Sequence, residues 1–195
     1  MNSSIMQMKN SFQYLIRNIC VMVKKIILIF PLLLSICGCG QKLYKIEKDK
    51  HGEPLLNNKA QYSLTEKPSN EDLKKIDTSA YYVQIFEGRY YNDDEKRNPE
   101  ILIFHNDGYF RKTSLLAFGR FDEHRRKNST AYGGKYKIIG SEILTERFLP
   151  ASQGKANWYI RNMTTGKIEG DKIIFTDKNS VTVFEKRKEL PRLDN

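Results

Sequence analysis

Residues able to do chemistry are few and scattered in this 195-residue chain. The three histidines, His51, His105 and His124, stand far apart, and none belongs to the closely spaced pair that a zinc site uses. His105, beside a turn, reads as a strand-end residue hydrogen-bonded locally. Asp93-Asp94-Glu95 gathers three carboxylates but lacks the alternating oxygen ligands of a calcium loop, so it reads as a solvated turn. Glu142 and Glu146 lie four apart on an expected strand and share one face, which a solvated surface explains as well as an acid–base pair. Phosphate-binding glycine loops and Gly-x-Ser-x-Gly elbows are missing. The three cysteines are Cys20, Cys37 and Cys39, so the chain beyond residue 39 has no disulfide, thiolate metal site or cysteine nucleophile. The expectation is a protein without enzymatic activity, cofactor or metal.

The cysteines point to an address instead. Lys24-Lys25 precede an apolar run from Ile26 to Ile36, and small residues and cysteine follow at once. That is the charged, apolar and cleavage-site order of an export signal. A run of about a dozen residues is short of the roughly 20 needed to cross a hydrocarbon core. Ile36-Cys37-Gly38-Cys39 resembles the lipobox of bacterial lipoproteins, with an aliphatic residue at −3, a small one at −1 and then cysteine. Cys37 is the weaker candidate, because it would put bulky Ile36 at −1. The resemblance implies cleavage before Cys39, a diacylglyceryl thioether on its sulfur and an acyl chain, such as palmitate, on its amine. One chain holds a protein only marginally, at about 10⁴ M⁻¹, whereas two or more anchor it. Met22-Val-Lys-Lys opens a signal of ordinary length, so translation is expected to start at Met22. No Asp follows Cys39 at the position associated with inner-membrane retention, and family analogy therefore implies the outer membrane, its periplasmic or surface face left open.

Removing residues 1–38 takes away four of the 33 basic residues and no acidic one, leaving 29 basic against 23 acidic, a formal +6 instead of +10. The excess is mild and spread out, and an exported protein of this kind is not expected to bind nucleic acid. The remaining 157 residues suffice for one domain with a real core.

Residues 39–79 are polar and broken by Gly52, Pro54, Asn57, Asn58 and Pro68, the composition of a flexible tether. Removing residues 40–68 is expected to leave the domain folded. Ser69 can cap a short helix near 70–76, with Glu71 and Asp72 complementing its dipole. From residue 80 to 188 the pattern is β-type. Runs at 80–91, 100–105, 109–114, 135–139, 142–149, 157–169, 172–176 and 181–188 are separated by turn residues such as Asn106-Asp107-Gly108, Gly140-Ser141 and Gly170-Asp171. Residues 189–195 form a tail. Eight antiparallel strands in about 110 residues is the count that closes an up-and-down barrel. The stretch from Gly134 to Leu144, then Trp158, Gly166–Phe175 and the closing Val181-Thr-Val-Phe-Glu-Lys, resembles the small lipocalin-like lipoproteins of the Bacteroidota. The resemblance implies an all-β fold, an eight-stranded lipocalin-like barrel behind a signal peptide and a tether, held in the cell envelope.

Strand alternation sets Leu102, Phe104 and Phe110 on one side and Ile101, Ile103 and Tyr109 on the other, and Tyr136 and Ile138 opposite Lys135 and Lys137. Inward aromatics either fill the barrel or line a ligand cavity. Two non-catalytic classes of function stay open, with a hydrolase whose carboxylates gather in space as a third option. One is non-catalytic binding of a small apolar or amphipathic ligand at the open end, with Trp158, Tyr109 and Phe104 as contacts and the loop 119–130 as a gate. The other is an interaction protein with a solid barrel that contacts an envelope protein complex or glycan. In that case Arg120, Arg125, Arg126 and Lys127 would meet an anionic surface. Partners are thus the membrane through the lipid anchor, and a small ligand or an envelope protein.

Overall fold

The structure is a computed structural model that describes residues 41–87, 90–119, 125–151, 157–178 and 180–191. The signal segment, Cys39 and the first residues of the expected tether lie outside them. Among the described residues, eleven strands and two short helices follow in order. β1 (Leu43–Lys45), β2 (Glu47–Lys48), β3 (Pro54–Leu55) and α1 (Asn70–Leu73) precede β4 (Tyr81–Ile85) and α2 (Asp93–Arg97). Then come β5 (Glu100–Phe104), β6 (Tyr109–Ser114), β7 (Gly133–Ile139), β8 (Glu142–Pro150), β9 (Trp158–Glu169), β10 (Lys172–Asp177) and β11 (Ser180–Arg187).

Strands β4 to β11 each pair antiparallel with the next, and β11 returns to β4 from Val183↔Ile85 to Arg187↔Tyr81. The sheet therefore closes into the eight-stranded antiparallel up-and-down barrel expected from the sequence. The alternation is also as expected: Leu102, Phe104, Phe110, Tyr136 and Ile138 turn inward and join Tyr82, Ile143, Ile173 and Phe184 in the core. The register Phe104↔Phe110 and Ile138↔Ile143 sets large side chains side by side on the inner face.

The barrel's two ends differ. At one end β5–β6, β7–β8 and β9–β10 turn through tight hairpins, with Gly108 at φ +81. An L side chain there would be strained and would also meet the Glu66 carbonyl at 3.2 Å. Ile76, 1 % exposed, stoppers this end. It follows α1, whose N-cap Ser69 forms a capping box with Asp72 as the sequence suggests. Tyrosine tips buried here are satisfied: the Tyr136 hydroxyl donates to the His105 carbonyl at 2.8 Å, and the Tyr82 hydroxyl accepts the Asp77 N–H at 2.9 Å. The other end carries the longer connections.

The expected flexible tether over 39–79 is corrected from Leu43 onward. β1 pairs with the first part of β9, Leu43↔Ile160 to Lys45↔Trp158, along an edge that β10 leaves free because it reaches only Gly166–Glu169. Tyr44, Ile46 and Ala60, with Leu56 and Tyr62, then pack on Phe148 and Tyr159 to make a second core outside the barrel wall. Too few apolar residues stand here to show a period, yet turns bring them to one surface. The Asn57 side chain accepts the N–H groups of Lys59 and Ala60, and the Asp49 carboxylate those of His51 and Glu53. Residues 42–64 are a strap that belongs to the fold, so deletion of 40–68 is expected to unfold part of it.

Glu146, expected on a solvated face, is fully buried under this strap. Its carboxylate accepts the Ser63 and Leu64 N–H groups, each at 2.8 Å, and the Ser63 hydroxyl at 3.0 Å. Arg161 adds an ion pair at 3.0 Å and lies within cation–π reach of the rings of both Tyr44 and Phe148. Asp93-Asp94-Glu95, expected as a turn, is instead the first turn of α2, whose N-cap Asn92 and Glu95 form a second capping box.

Candidate functional site

Two-residue periodicity that places the core also places the site. Glu100 follows Leu102 and Phe104 onto the inner face, Lys112 follows Phe110, Thr145 and Arg147 follow Ile143, and Thr182 follows Phe184. These residues lie toward the end with the long connections, where the aromatic filling stops. They enclose a cavity of about 270 Å³. Leu102, Phe110, Phe175 and Phe184 make its apolar floor, and Glu100, Lys112, Arg147, Asn162, Thr164 and Thr182 its polar wall.

Glycines on the wall make room for the large side chains. A Cβ on Gly134 would sit 1.9 Å from the Glu146 carbonyl oxygen and 3.0 Å from Cγ of Arg147, so the arginine stem runs across the bare backbone. A Cβ on Gly166 would fall 2.8 Å from the Phe175 ring.

Much of the wall is wired. Lys112 pairs with Glu100 at 2.7 Å. The Gln84 side chain accepts the Glu100 N–H at 3.1 Å. The Thr145 hydroxyl donates to the Thr164 carbonyl at 3.2 Å, and the Asn162 amide to the Thr164 hydroxyl at 3.1 Å. Arg147 makes no hydrogen bond or ion pair among the described residues, and its Nε is buried without a partner. Burial pushes its pKa below the usual arginine value, against the pull of Glu100. Arginine starts so high that it remains a cation at neutral pH. A half-buried guanidinium, one amide and several hydroxyls over an aromatic floor can bind and orient a small molecule, and the lining holds no thiol or imidazole.

None of the three residues expected from the sequence to contact a ligand lines this cavity. Phe104 is fully buried in the closed half, its ring 5.0 Å from that of Tyr136 and 5.3 Å from that of Tyr82. Tyr109 turns outward beneath the Lys135 ammonium, 4.1 Å from its ring. Trp158 pairs with Lys45 of β1 at the start of β9 and is exposed, on the strand face of Asn162 and Thr164 but beyond the cavity that they line. Alternation and aromatic type marked them, but neither says at which height along the barrel the filling ends. Arg147 and Lys112 were legible as inward positions only through the same alternation, and charge argued against placing them inside.

The basic run is also tied into the molecule. Arg120 and His124 lie outside the described residues. Arg125 is near Glu53 at 3.9 Å, Lys127 pairs with Asp107, and Arg126 is exposed. Ser129, fully buried, donates to the Glu53 carboxylate at 2.7 Å, and the Leu56 N–H reaches the Asn128 carbonyl. The described half of the expected gate, 125–130, is therefore pinned to the strap. His105 meets the Tyr132 hydroxyl through Nε2 at 2.7 Å, the local bond its position suggested.

A larger hollow of about 1140 Å³ lies outside the barrel between α2, Leu115-Leu116 and the segment Glu189–Pro191. Its charged residues, Asp93, Lys96, Arg97, Arg187 and Glu189, are all exposed. We regard the smaller hollow in the barrel mouth as the site because there a half-buried cation, hydrogen-bonding groups and an apolar floor converge. Among the described residues, no three His, Cys, Asp or Glu side chains gather to hold a metal. Comparison with known protein families, curated proteins and solved structures gives no match.

Proposed function

We propose that this is a lipid-anchored cell-envelope protein, attached through Cys39, that binds a small amphipathic molecule in the barrel mouth without turning it over. The observation that carries the reading is the half-filled interior. The barrel is filled and stoppered below Phe110 and keeps a cavity of about 270 Å³ above it, apolar at its floor and polar at its wall. A barrel that served only as a scaffold for its loops gains stability from filling that space, and burying the Arg147 Nε without a partner costs stability. The envelope address rests on the lipobox at Ile36–Cys39.

Native mass spectrometry of the full chain, released gently from its host membrane, tests the binding reading. A retained small molecule of defined mass is expected. An empty chain that co-purifies with a membrane complex or a glycan would overturn it in favour of the interaction reading. Cys39→Ala should release the protein from membranes and Cys37→Ala should not. Equal loss in both would refute the assigned attachment site.

A further inference from the structure

We propose that the molecule bound in the mouth carries an anionic oxygen group, a carboxylate or a phosphate monoester, that seats on the Arg147 guanidinium. This rests on the mouth-binding reading above and adds the charge of the ligand.

Arg147 is a half-buried cation whose Nε is buried with no acceptor among the described residues. The acidic side chain that acts on it, Glu100, is already engaged at 2.7 Å by Lys112 and makes no ion pair with Arg147. The other acid of the lining, Asp177, is exposed at the rim and takes the Lys178 N–H at 2.7 Å. A neutral ligand would leave the buried Nε without an acceptor, and a cationic one would add repulsion. A carboxylate or phosphate presents two oxygens to the planar fork of donors. Asn162 and Thr164 lie in the same wall as further polar contacts. The size limits the rest of the molecule. About 270 Å³ is the volume of on the order of nine waters. A short apolar tail over Phe110, Phe175 and Phe184 fits that space and a long-chain lipid does not.

The chain from residue 39 with Cys39→Ala keeps every described element and carries no lipid. Octanoate, octyl phosphate, octan-1-ol and octylammonium would be titrated into it, followed by amide chemical shifts at Thr145, Thr164 and Thr182 and by calorimetry. At least one anion is expected to bind about ten- to a hundredfold tighter than octanol. Preference between the two anions assigns carboxylate or phosphate. Arg147→Gln should level the anion with the alcohol while octanol binding persists. Glu100→Gln, which removes a repelling charge, should tighten the anion severalfold, and this arm decides the matter even where Arg147→Gln folds poorly. Octanol binding as tightly as both anions, or octylammonium binding tightest, would overturn the anion assignment and leave the cavity reading standing. No shift at the mouth amides with any of the four would overturn the mouth-binding reading itself.

Discussion

Below Phe110 the barrel is filled by rings: Phe104 touches Tyr82, Phe110 and Tyr136 with centroids 5.0–6.0 Å apart, and Ile76 seals the end. Above it the same strands carry Arg147, Lys112, Glu100 and Asn162 around open space. One alternation pattern serves both halves, so the difference lies entirely in which side chains occupy the inward positions. The closed half is built for stability. The open half gives some of it up to keep a charge and a cavity.

The contrast breaks most readily at its stable side. Phe104→Ala removes the ring at the centre of the aromatic cluster and is expected to cost about 3–5 kcal/mol, read by urea denaturation. A loss under about 1 kcal/mol would mean that the closed half is loosely packed and that the two ends do not differ as described. Next comes the buried carboxylate that ties the strap to the outside of β8. In Glu146→Gln an amide replaces an ion that meets the N–H groups of Ser63 and Leu64 and pairs with Arg161. We expect a loss of roughly 3 kcal/mol. Hydrogen exchange at Ser63 and Leu64 should rise well before that of β5 and β7, because the strap is released ahead of the barrel.

At the mouth the sign reverses. Arg147→Met replaces a half-buried cation, its Nε buried without a partner, with an apolar side chain, and the ligand-free protein should gain about 1 kcal/mol in the same urea experiment. Destabilisation by a comparable amount would show that the arginine holds the wall together and is not kept for binding.

The sequence made the barrel legible because period-two alternation and tight-turn residues are local signals, and both survived intact in strands such as Glu100–Phe104 and Gly133–Ile139. The strap was not legible. Its five apolar residues, Tyr44, Ile46, Leu56, Ala60 and Tyr62, reach one surface only through turns made by Asp49 and Asn57, and they dock on Phe148 and Tyr159, about a hundred residues away in the chain. Glu146 was misread for the same reason, since its burial comes from that distant segment. For the site, the inward face could be read but its occupancy could not. The glycines that admit Arg147 and Phe175, Gly134 and Gly166, take their meaning from neighbours on other strands.

The smallest expected effect separates the two halves by pH. His105 sits at the closed end, half-buried, with its Nε2 2.7 Å from the Tyr132 hydroxyl. Burial, then the nearby Lys127 and more weakly Arg111, hold its pKa below the ordinary 6.5, while Asp107 pulls the other way. A folded pKa below the unfolded one means that the unfolded chain binds more protons between the two values. Stability is therefore complete above about pH 6.5 and is lost as the pH falls through that window. Thermal melts of wild type and His105→Gln between about pH 5.5 and 7.5 isolate the term, since the carboxylates titrate mainly below that range. Wild type should lose Tm on acidification relative to the variant, and parallel curves would remove His105 as the cause. Arg147, fixed as a cation throughout this range, contributes no such slope. The open end should therefore hold a carboxylate nearly equally well across a range in which the closed end weakens. A phosphate monoester gains its second charge at about pH 6 and would bind with a slope.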